Sequence, residues 1–516
     1  MIRPFLAALS LIFLLWPRAL AAGTPPPALL VVISVDQMRA EYLDRYRDRW
    51  TGGFARLLKE GAIFTHARHA HVPVETGPGH AAILTGRDPS GHGIVANDWY
   101  DPTGRKQVYC VEDPLFRRSP RNLRAYTVGD WLKASDPDSK VAAVAGKDRA
   151  AILMGGQRAD TAVWYDWRTG RFTTSGWYGP LPSWAEGFNR EGLADRRWLE
   201  EHPADRGRGL TRAPTSYYAE LGTTPFYDEL IAAAAERLLD AEKLGKDAHP
   251  DLLAVGFSAT DYIGHRWGPD SPQMREQLLS LDRVLGGFLA ALDRKVGAGR
   301  WALALTADHG VQDLPESAEG KARGMKRILQ ADLLRRVEAD LRARFPEDAH
   351  AEGAARAEPW VLGSFPPHFY LNRSLAALRG VPAEKLLAAA EDALRRVEAV
   401  ADVFRPDDLV DGRRLDRPYA DAFRRGVHPG RSGDLLVLYK PDWTYTWEGY
   451  ETEAVHLNPY DEDARVPLIL AGPRTRPGRY ATAASVTDLA PTLGRWLGVD
   501  FPPQAGARVL DEALGP

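Results

Sequence analysis

The stretch LLVVISVDQ, residues Leu29 to Gln37, decides the fold class of this chain. It is a continuous apolar run of strand length that ends at a carboxylate, Asp36. Apolar runs without polar alternation are typical of parallel strands that are buried on both faces. The sequence therefore predicts a central strand here, with Asp36 at its carboxyl end.

The same pattern recurs along the chain, with amphipathic stretches between the apolar runs. Helices are predicted for residues 227–244, 274–296 and 486–497. Strand–helix alternation predicts an α/β fold with a mainly parallel central sheet flanked by helices. Ionisable residues follow the runs, at the edge where open α/β sheets bind ligands. The further runs are KVAAVAG (Lys140 to Gly146), DLLAVGFS (Asp251 to Ser258), WALALT (Trp301 to Thr306) and VPLILAG (Val466 to Gly472).

Two regions interrupt this alternation. Residues 155–224 are rich in Trp, Tyr, Gly and Arg, and residues 318–432 contain two charged helical stretches with loops between them. We expect one catalytic domain over residues 23–516, with cap insertions over the carboxyl edge at about 155–224 and 318–432. A separate second domain is the alternative.

Composition places the chain among soluble globular proteins. It has 516 residues, 44% hydrophobic and 26% charged, with a net charge of −3. This charge offers no basic surface, so we expect no nucleic-acid partner. Cys110 is the only cysteine, which excludes an intramolecular disulfide. The sequence does not define the oligomeric state, and a monomer is compatible with it.

Residues 1–22 are predicted to be a secretory signal peptide. One arginine precedes an apolar run from Pro4 to Trp16, and small residues follow at 19–21. The run is too short to cross a bilayer. We therefore expect a periplasmic or secreted protein without a stable membrane span after cleavage. An uncleaved N-terminal anchor is the alternative.

The stretch PVETGPGHAAILTG, residues Pro73 to Gly86, supplies a candidate nucleophile. Thr76 comes shortly before an apolar segment, and Pro78 is tolerated in the first turn of a helix. We expect Thr76 just ahead of a helix, where free N–H groups and the positive helix end favour an anion. An isolated threonine here is more often a simple N-cap. The interpretation therefore depends on the other polar motifs.

Four short polar motifs elsewhere in the chain supply three candidate aspartates and three candidate histidines, most of them placed after predicted strands. Singly they are weak signals, since short Asp–His spacings arise by chance. Together they suffice for two divalent cations, and mixed imidazole and carboxylate ligation suits zinc. Two metals can bind the attacking and leaving oxygens of an in-line phosphoryl transfer, with Thr76 as the attacking group. The six residues are Asp36, Asp261, His265, Asp308, His309 and His456.

With these motifs in order, the chain resembles the alkaline phosphatase superfamily, and within it the bacterial phosphate-irrepressible monoesterases with a threonine nucleophile. The matching segments span nearly the whole mature chain: SVDQM, ETGPGHAAILTG, GIVANDWYD, GKDRAAIL, FSATDYIGH and TADHG, followed by a late histidine. The resemblance implies an alkaline phosphatase that forms a phosphothreonine intermediate.

The resemblance also implies specific roles for these residues. One zinc is held by Asp36, Thr76, Asp308 and His309, and the other by Asp261, His265 and His456. Asn97, Lys147 and Arg149 contact the transferred phosphoryl group. The segment AVHLNPYD around His456 departs from the family pattern, in which a small residue and glycine often flank the histidine. His66, His69, His71 and His80 lack metal spacing, and we expect structural roles for them.

A charge count favours small phosphate monoesters as substrates. Two divalent cations balance three aspartates and a threonine alkoxide, so the cluster is near neutral. The two negative charges of a monoester then match Lys147 and Arg149, and arginine has a fork suited to phosphoryl oxygens. A diester has one charge fewer.

Three alternatives remain at this stage. A phosphodiesterase or nucleotide pyrophosphatase of the same superfamily would share Thr76, Asn97 and the zinc ligands. A sulfatase would need a cysteine or serine that becomes formylglycine, where this chain has Thr76. A non-catalytic periplasmic protein that binds phosphate or metal would not need a complete nucleophile.

Overall fold

The computed structural model describes residues 25–101, 105–346, 358–413 and 416–515, so the predicted signal peptide lies outside the described residues. Within these ranges the strands are β1 Leu29–Val35, β2 Ala62–Phe64, β3 Ala67–Arg68, β4 Asp98–Asp101, β5 Lys106–Tyr109, β6 Glu112–Asp113, β7 Arg117–Arg118, β8 Val141–Ala145, β9 Thr161–Asp166, β10 Arg171–Thr173, β11 Asp251–Phe257, β12 Trp301–Thr306, β13 Lys326–Leu329, β14 Val361–Phe365, β15 His368–Leu371, β16 Val400–Phe404, β17 Leu435–Tyr439, β18 Trp443–Thr446, β19 Leu468–Ala471, β20 Gly478–Tyr480 and β21 Ala484–Ser485.

The helices in the same ranges are α1 Tyr42–Arg45, α2 Gly53–Glu60, α3 Thr76–Thr85, α4 Pro89–His92, α5 Val128–Ser135, α6 Asp148–Gly155, α7 Ser183–Glu191, α8 Leu193–Glu201, α9 Pro203–Gly207, α10 Thr215–Glu220, α11 Phe226–Ala241, α12 Ala259–Trp267, α13 Pro272–Leu292, α14 Ala318–Arg323, α15 Gln330–Arg344, α16 Arg373–Leu378, α17 Ala383–Arg395, α18 Pro406–Val410, α19 Ala420–Gly426, α20 Asp461–Ala464 and α21 Leu489–Leu497. No helix in the described part of the chain has the length and apolar character needed to cross a membrane.

The core of the molecule is a nine-stranded sheet in the order β10-β9-β8-β11-β1-β12-β19-β2-β20. β1 lies at its centre and pairs in parallel with both β11 and β12. All seven residues of β1 are buried, as are those of β11. The predicted α/β fold is confirmed, and continuous apolar runs mark its central strands because both faces are covered by helices.

The sheet is mixed at its periphery. β19 runs antiparallel to both β12 and β2, and β10 runs antiparallel to β9. The run VPLILAG was predicted as a strand, and it forms β19, but periodicity carries no information on strand direction.

The region predicted as the first cap contributes to the central sheet. β9 pairs in parallel with β8, and β10 follows it at the sheet edge. Residues 161–173 therefore extend the sheet, and the helical segments from α7 onward follow them. β9 has the sequence TAVWYD, and its first five residues are buried.

The second predicted cap contains a smaller sheet with its own core. Its strand order is β14-β15-β17-β16, and α15 and α17 pack against it. Leu333, Val337, Leu386 and Val437 belong to a hydrophobic cluster that is distinct from the main core. β17 lies beyond residue 432, so this unit extends past its predicted boundary.

Helix α3 is docked directly against the loop that follows β12. All ten of its residues are buried. A Cβ atom placed on Gly79 would lie 2.2 Å from the backbone oxygen of Asp308. Since backbone cannot move aside as a flexible side chain can, only glycine permits this approach.

We expect Gly79→Ala to destabilise the protein by about 1–3 kcal/mol, the usual cost of overpacking. The matched control is Gly287→Ala, which lies in α13 with no atom within 4 Å of the added Cβ. That change should stabilise the helix by up to about 1 kcal/mol. Thermal and urea unfolding measure both. Equal stability of the two variants would contradict the close packing of α3.

Candidate active site

Thr76 is the first residue of α3, so the helix begins one residue earlier than the sequence predicts. The preceding residue, Glu75, has extended backbone, and Pro78 lies in the first helical turn as expected. The Thr76 side chain is 2% exposed. Its Oγ1 lies 3.4 Å from His309 Nε2 and 3.4 Å from Arg149 Nη2. The hydroxyl is thus placed between an imidazole and a guanidinium at the positive end of a helix.

Two strand ends bring the first group of donors together. Asp36 follows β1, while Asp308 and His309 follow the adjacent β12. One ligand atom from each residue lies within 4.8 Å of the others, and all three are buried. Parallel pairing of β1 with β12 therefore explains why residues far apart in sequence meet.

A second group consists of Asp261, His309 and His456, again within 4.8 Å of one another. It shares His309 with the first group. His265 is one helical turn from Asp261 on α12, and its Nε2 lies 3.2 Å from an Asp261 carboxylate oxygen. The structure thus gathers all six residues that the sequence singled out. It places His265 beside Asp261 rather than inside the tighter group.

Backbone carbonyls orient each imidazole. Nδ1 of His265 bonds to Ala454 O at 2.6 Å, that of His309 to Gly310 O at 2.8 Å, and that of His456 to Val74 O at 2.8 Å. In each ring Nδ1 is thus held by the backbone, an arrangement that is usual for histidines that bind a metal through Nε2. The rings of His309 and His456 are stacked, with centroids 3.5 Å apart.

The carboxylates require a positive partner. Asp36 Oδ2 lies 2.7 Å from the Lys147 ammonium, and Asp308 Oδ2 lies 3.0 Å from His80 Nδ1. Burial, with Asp261 and Asp308 close by, raises the pKa of Asp36 well above its usual range. Burial and the neighbouring rings of His309 and His265 lower the pKa of His456, which favours the neutral form that binds metals. These donors fit two divalent cations.

Lys147 supplies one positive charge among these carboxylates. Its Nζ lies 2.7 Å from Asp36 and 2.5 Å from Asp261. Although burial opposes the charged form, these two carboxylates raise the pKa of Lys147. The ammonium is therefore fixed between the two groups of donors.

Arg149 and Asn97 border the Thr76 hydroxyl. Besides its contact with Thr76, Arg149 lies 3.3 Å from the Tyr109 hydroxyl, which donates to Asp148 at 2.6 Å. Asn97 accepts a 2.7 Å hydrogen bond from the Gly77 amide, which fixes its side-chain oxygen next to the start of α3. The guanidinium thus stands beside the candidate nucleophile, and Asn97 lines the same cavity.

Seven of these polar residues line a single cavity of about 690 Å³. Thr76, Asn97, Lys147, Arg149, Asp261, His265 and His456 line it. A larger cavity of about 710 Å³ lies elsewhere, between the small sheet and α18, and none of these residues lines it. The chemistry, rather than the volume, identifies the site.

Several contributing residues were missed by sequence reasoning. Gln37, which has a left-handed backbone (φ 64°), donates from its backbone N–H to Asp308 and from its side chain to Asp261. Glu75 accepts from the Asn97 amide at 2.7 Å, and burial raises the pKa of Glu75 to about 7. His80, expected to be structural, lies 3.0 Å from Asp308 Oδ2. Their adjacency to motif residues was the available signal.

His69 and His71 are buried and hydrogen-bonded to backbone oxygens of Ala307 and Pro73. Burial lowers the pKa of His69 to about 3 and that of His71 to about 4. Both are neutral packing residues. His66 lies near the surface, 3.0 Å from the Thr65 hydroxyl.

Comparison with known proteins relates the whole chain to phosphoryl-transfer enzymes. A family model described as type I phosphodiesterase / nucleotide pyrophosphatase matches residues 30–461. The chain is similar to alkaline phosphatase PafA of Elizabethkingia meningoseptica, at 30% identity over 96% of this chain and 95% of PafA. It is also similar to alkaline phosphatase PhoK of Sphingomonas sp, at 32% identity over 96% and 93%.

Solved structures agree with this relationship. The crystal structure of wild-type PafA superposes with a TM-score of 0.85 at 29% identity, covering 96% of this chain and all of that chain. Murine ectonucleotide pyrophosphatase / phosphodiesterase 5 gives a TM-score of 0.55 at 17% identity and shares the fold.

The buried carboxylates give a testable signature of metal binding. Removal of divalent metal by a chelator should lower the Tm of the wild-type protein, because bound metal stabilises the folded state. In Asp36→Asn we expect a higher Tm without metal and a smaller rise in Tm with zinc. Its metal-free form should melt above that of the wild type, since one repelling buried charge is gone, while added zinc should raise its Tm less.

Differential scanning calorimetry with and without zinc measures the four values. Asp332→Asn, in the exposed first turn of α15, controls for loss of an unrelated carboxylate. A zinc-induced rise in Tm that is equal in Asp36→Asn and wild type would argue against a metal at Asp36.

Proposed function

This chain belongs to the type I phosphodiesterase / nucleotide pyrophosphatase family, and we propose that it hydrolyses phosphate monoesters through a covalent phosphothreonine intermediate. The observation that carries the proposal is the position of the Thr76 hydroxyl, 3.4 Å from both Arg149 and His309, in a cavity that Asp261, His265 and His456 also line. Full-length similarity to several alkaline phosphatases supports it.

Thr76 Oγ1 is the proposed nucleophile. It attacks phosphorus and gives up its proton, the bond to the alcohol oxygen breaks and the alcohol leaves with a proton, and the phosphoryl group remains on Thr76. A water molecule then attacks phosphorus and releases inorganic phosphate and the free Thr76 hydroxyl. Splitting one difficult displacement into two is the usual advantage of covalent catalysis.

Two zinc ions fit the donors on either side of this hydroxyl. Asp36, Thr76, Asp308 and His309 would hold one, and Asp261, His265 and His456 the other. When bound, such ions stabilise the attacking and leaving oxygens of an in-line displacement. Gln37 and His80 orient the carboxylates toward this role.

Arg149 and Asn97 position the phosphoryl group. The guanidinium contacts Thr76 Oγ1 through Nη2 and the Tyr109 hydroxyl through Nη1, which holds it beside the oxygen that the phosphoryl group would join. Charge-assisted hydrogen bonds of this kind strengthen as negative charge develops. Asn97 donates from its amide NH₂, because Gly77 already fixes its oxygen.

The cationic side chains favour a monoester over a diester. Lys147 and Arg149 both line the cavity with Thr76. A monoester brings one more negative charge than a diester, which these cations offset. The second candidate is a diesterase or nucleotide pyrophosphatase, which the description of the matching family model favours.

The proposed enzyme acts outside the cytoplasm. The predicted signal peptide at residues 1–22 would direct the chain to the periplasm or the exterior, with no stable membrane span after cleavage. The segments from α7 to α10 and from α14 to α19 would act as caps over the catalytic edge of one domain.

Replacing Thr76 by alanine should leave a folded protein that still binds zinc and has almost no turnover. Thr76→Ser should keep part of the activity, because a hydroxyl remains. Rapid acid quench with a ³²P-labelled monoester should trap phosphate on wild type and on Thr76→Ser, and none on Thr76→Ala. Near wild-type turnover by Thr76→Ala would rule out the phosphothreonine route.

Removing Lys147 and Arg149 together should lower kcat/KM for a monoester by about two to four orders of magnitude, since each charge-assisted hydrogen bond contributes roughly 1.5–3 kcal/mol. Diester hydrolysis should fall far less. Arg266→Ala is the matched control, because Arg266 is an exposed cation that lines the same cavity. It should change both substrates slightly and equally.

Both esters must be assayed on one zinc-loaded preparation, with metal content measured in every variant. Equal losses on the two substrates would mean that these side chains support the site generally. A larger loss on the diester would make the phosphodiesterase the better assignment.

A further inference from the structure

The catalytic cavity is much larger than a phosphoryl group requires. Its volume of about 690 Å³ lies within the range of pockets that enclose whole drug-sized ligands. The catalytic groups occupy one end, around Thr76. The remaining wall therefore has room for the alcohol portion of the substrate.

In-line displacement determines where that alcohol lies. The leaving oxygen departs on the side opposite the attacking oxygen. Thr76 attacks from the side of His309 and Arg149. The alcohol therefore points away from them, into the rest of the cavity, whose lining includes His265 and Arg266 of α12.

The loop of residues 447–453 borders that side at a fixed position. Ala454 donates to the His265 carbonyl at 2.8 Å, and His265 donates from Nδ1 back to the Ala454 carbonyl at 2.6 Å. At the other end, the Thr446 hydroxyl donates to Tyr450 O at 2.7 Å, and the Tyr450 amide donates to Trp447 O. The loop is thus anchored to a proposed metal ligand.

This loop presents two aromatic side chains to the cavity. Trp447 and Tyr450 both line it, and Tyr450 is 53% exposed. Trp447 meets Tyr445 in an edge-to-face contact, with centroids 5.4 Å apart. Aromatic side chains are typical of the walls of ligand pockets, so these two are suited to bind part of a substrate. This wall of the cavity carries no strong net charge, because the side chains of Glu453 and Arg266, which also line it, have opposite charges.

We propose that Trp447 and Tyr450 form a stacking platform for the alcohol of the substrate, so that the enzyme prefers monoesters whose alcohol carries an aromatic or heteroaromatic ring. This inference rests on the proposed monoesterase function. Rings stack on tryptophan and tyrosine through dispersion and quadrupole interactions that a saturated ring of the same size lacks. The preferred class includes arylmethyl phosphates and nucleoside monophosphates.

The test compares benzyl phosphate with cyclohexylmethyl phosphate, two primary-alcohol esters with the same number of carbon atoms. Wild type should favour the benzyl ester in kcat/KM by roughly 3- to 10-fold, the range of an aromatic pair. The Trp447→Ala/Tyr450→Ala double variant should lower this ratio to near one. The Phe substitutions at both positions should retain it.

Controls separate the platform from the chemistry. Methyl phosphate lacks a ring, and its kcat/KM in each variant is the reference to which the values for both ring esters are normalised. Trp167→Ala removes another exposed aromatic residue, 46% exposed on the hairpin after β9, and should leave the ratio unchanged. A ratio that is the same in the double alanine variant and the wild type would overturn the platform.

A binding measurement distinguishes failure of this inference from failure of the proposed function. Benzylphosphonate and cyclohexylmethylphosphonate cannot be hydrolysed, and calorimetry gives their Kd ratio on zinc-loaded protein. A ring preference lost in the double alanine variant supports the platform even if methyl phosphate is not turned over. No ring preference in wild type would overturn it while leaving monoester hydrolysis intact.

Discussion

The burial of three carboxylates in one small volume is the constraint on which the rest of this structure depends. Asp36, Asp261 and Asp308 are each at most 3% exposed, and their side chains lie close enough to share Lys147 and His309 as neighbours. Isolated buried carboxylates are costly unless they are paired with cations or coordinate metals. The protein places one ammonium, Lys147, between Asp36 and Asp261, and the rings of His309 and His456, whose pKa values burial lowers, lie beside the same carboxylates. Cations bound at this place would therefore stabilise the three buried carboxylates.

A second layer of buried carboxylates holds the loops that carry the first. Asp228 accepts the amides of Ser258 and Ala259, where α12 begins. Asp463 accepts the amides of Leu457 and Asn458, directly after His456. Because each carboxylate is buried and satisfied by backbone N–H groups, it fixes the path of its loop. The donor groups are thereby positioned by elements that never touch the reacting atoms.

Sequence reasoning recovered the centre of the sheet and the residues at its carboxyl edge for the same physical reason. Strands buried on both faces are apolar throughout, so β1, β11 and β12 are recognisable, and polar residues that follow them stand out. β9 and β10 lie at the edge of the sheet, where that signal fades, and they were read as part of an insertion. The direction of β19, the small sheet around β17, and the role of His80 depend on contacts between distant segments. No local pattern reports such contacts.

The positions of Lys147 and Arg149, the two cations of the GKDR segment, modify the charge count that favours monoesters over diesters. Residues two apart at a helix start do not face the same direction. Lys147, just before α6, therefore reaches Asp36 and Asp261, whereas Arg149 reaches the Thr76 hydroxyl. The ammonium is already engaged by two buried carboxylates, while the guanidinium has a buried Nε without a partner and stands beside the nucleophile. A count made from sequence treats these charges as equivalent. Their positions imply that recognition of the second charge of a monoester falls mainly to Arg149, and that Lys147 chiefly holds the carboxylates of the two donor groups together.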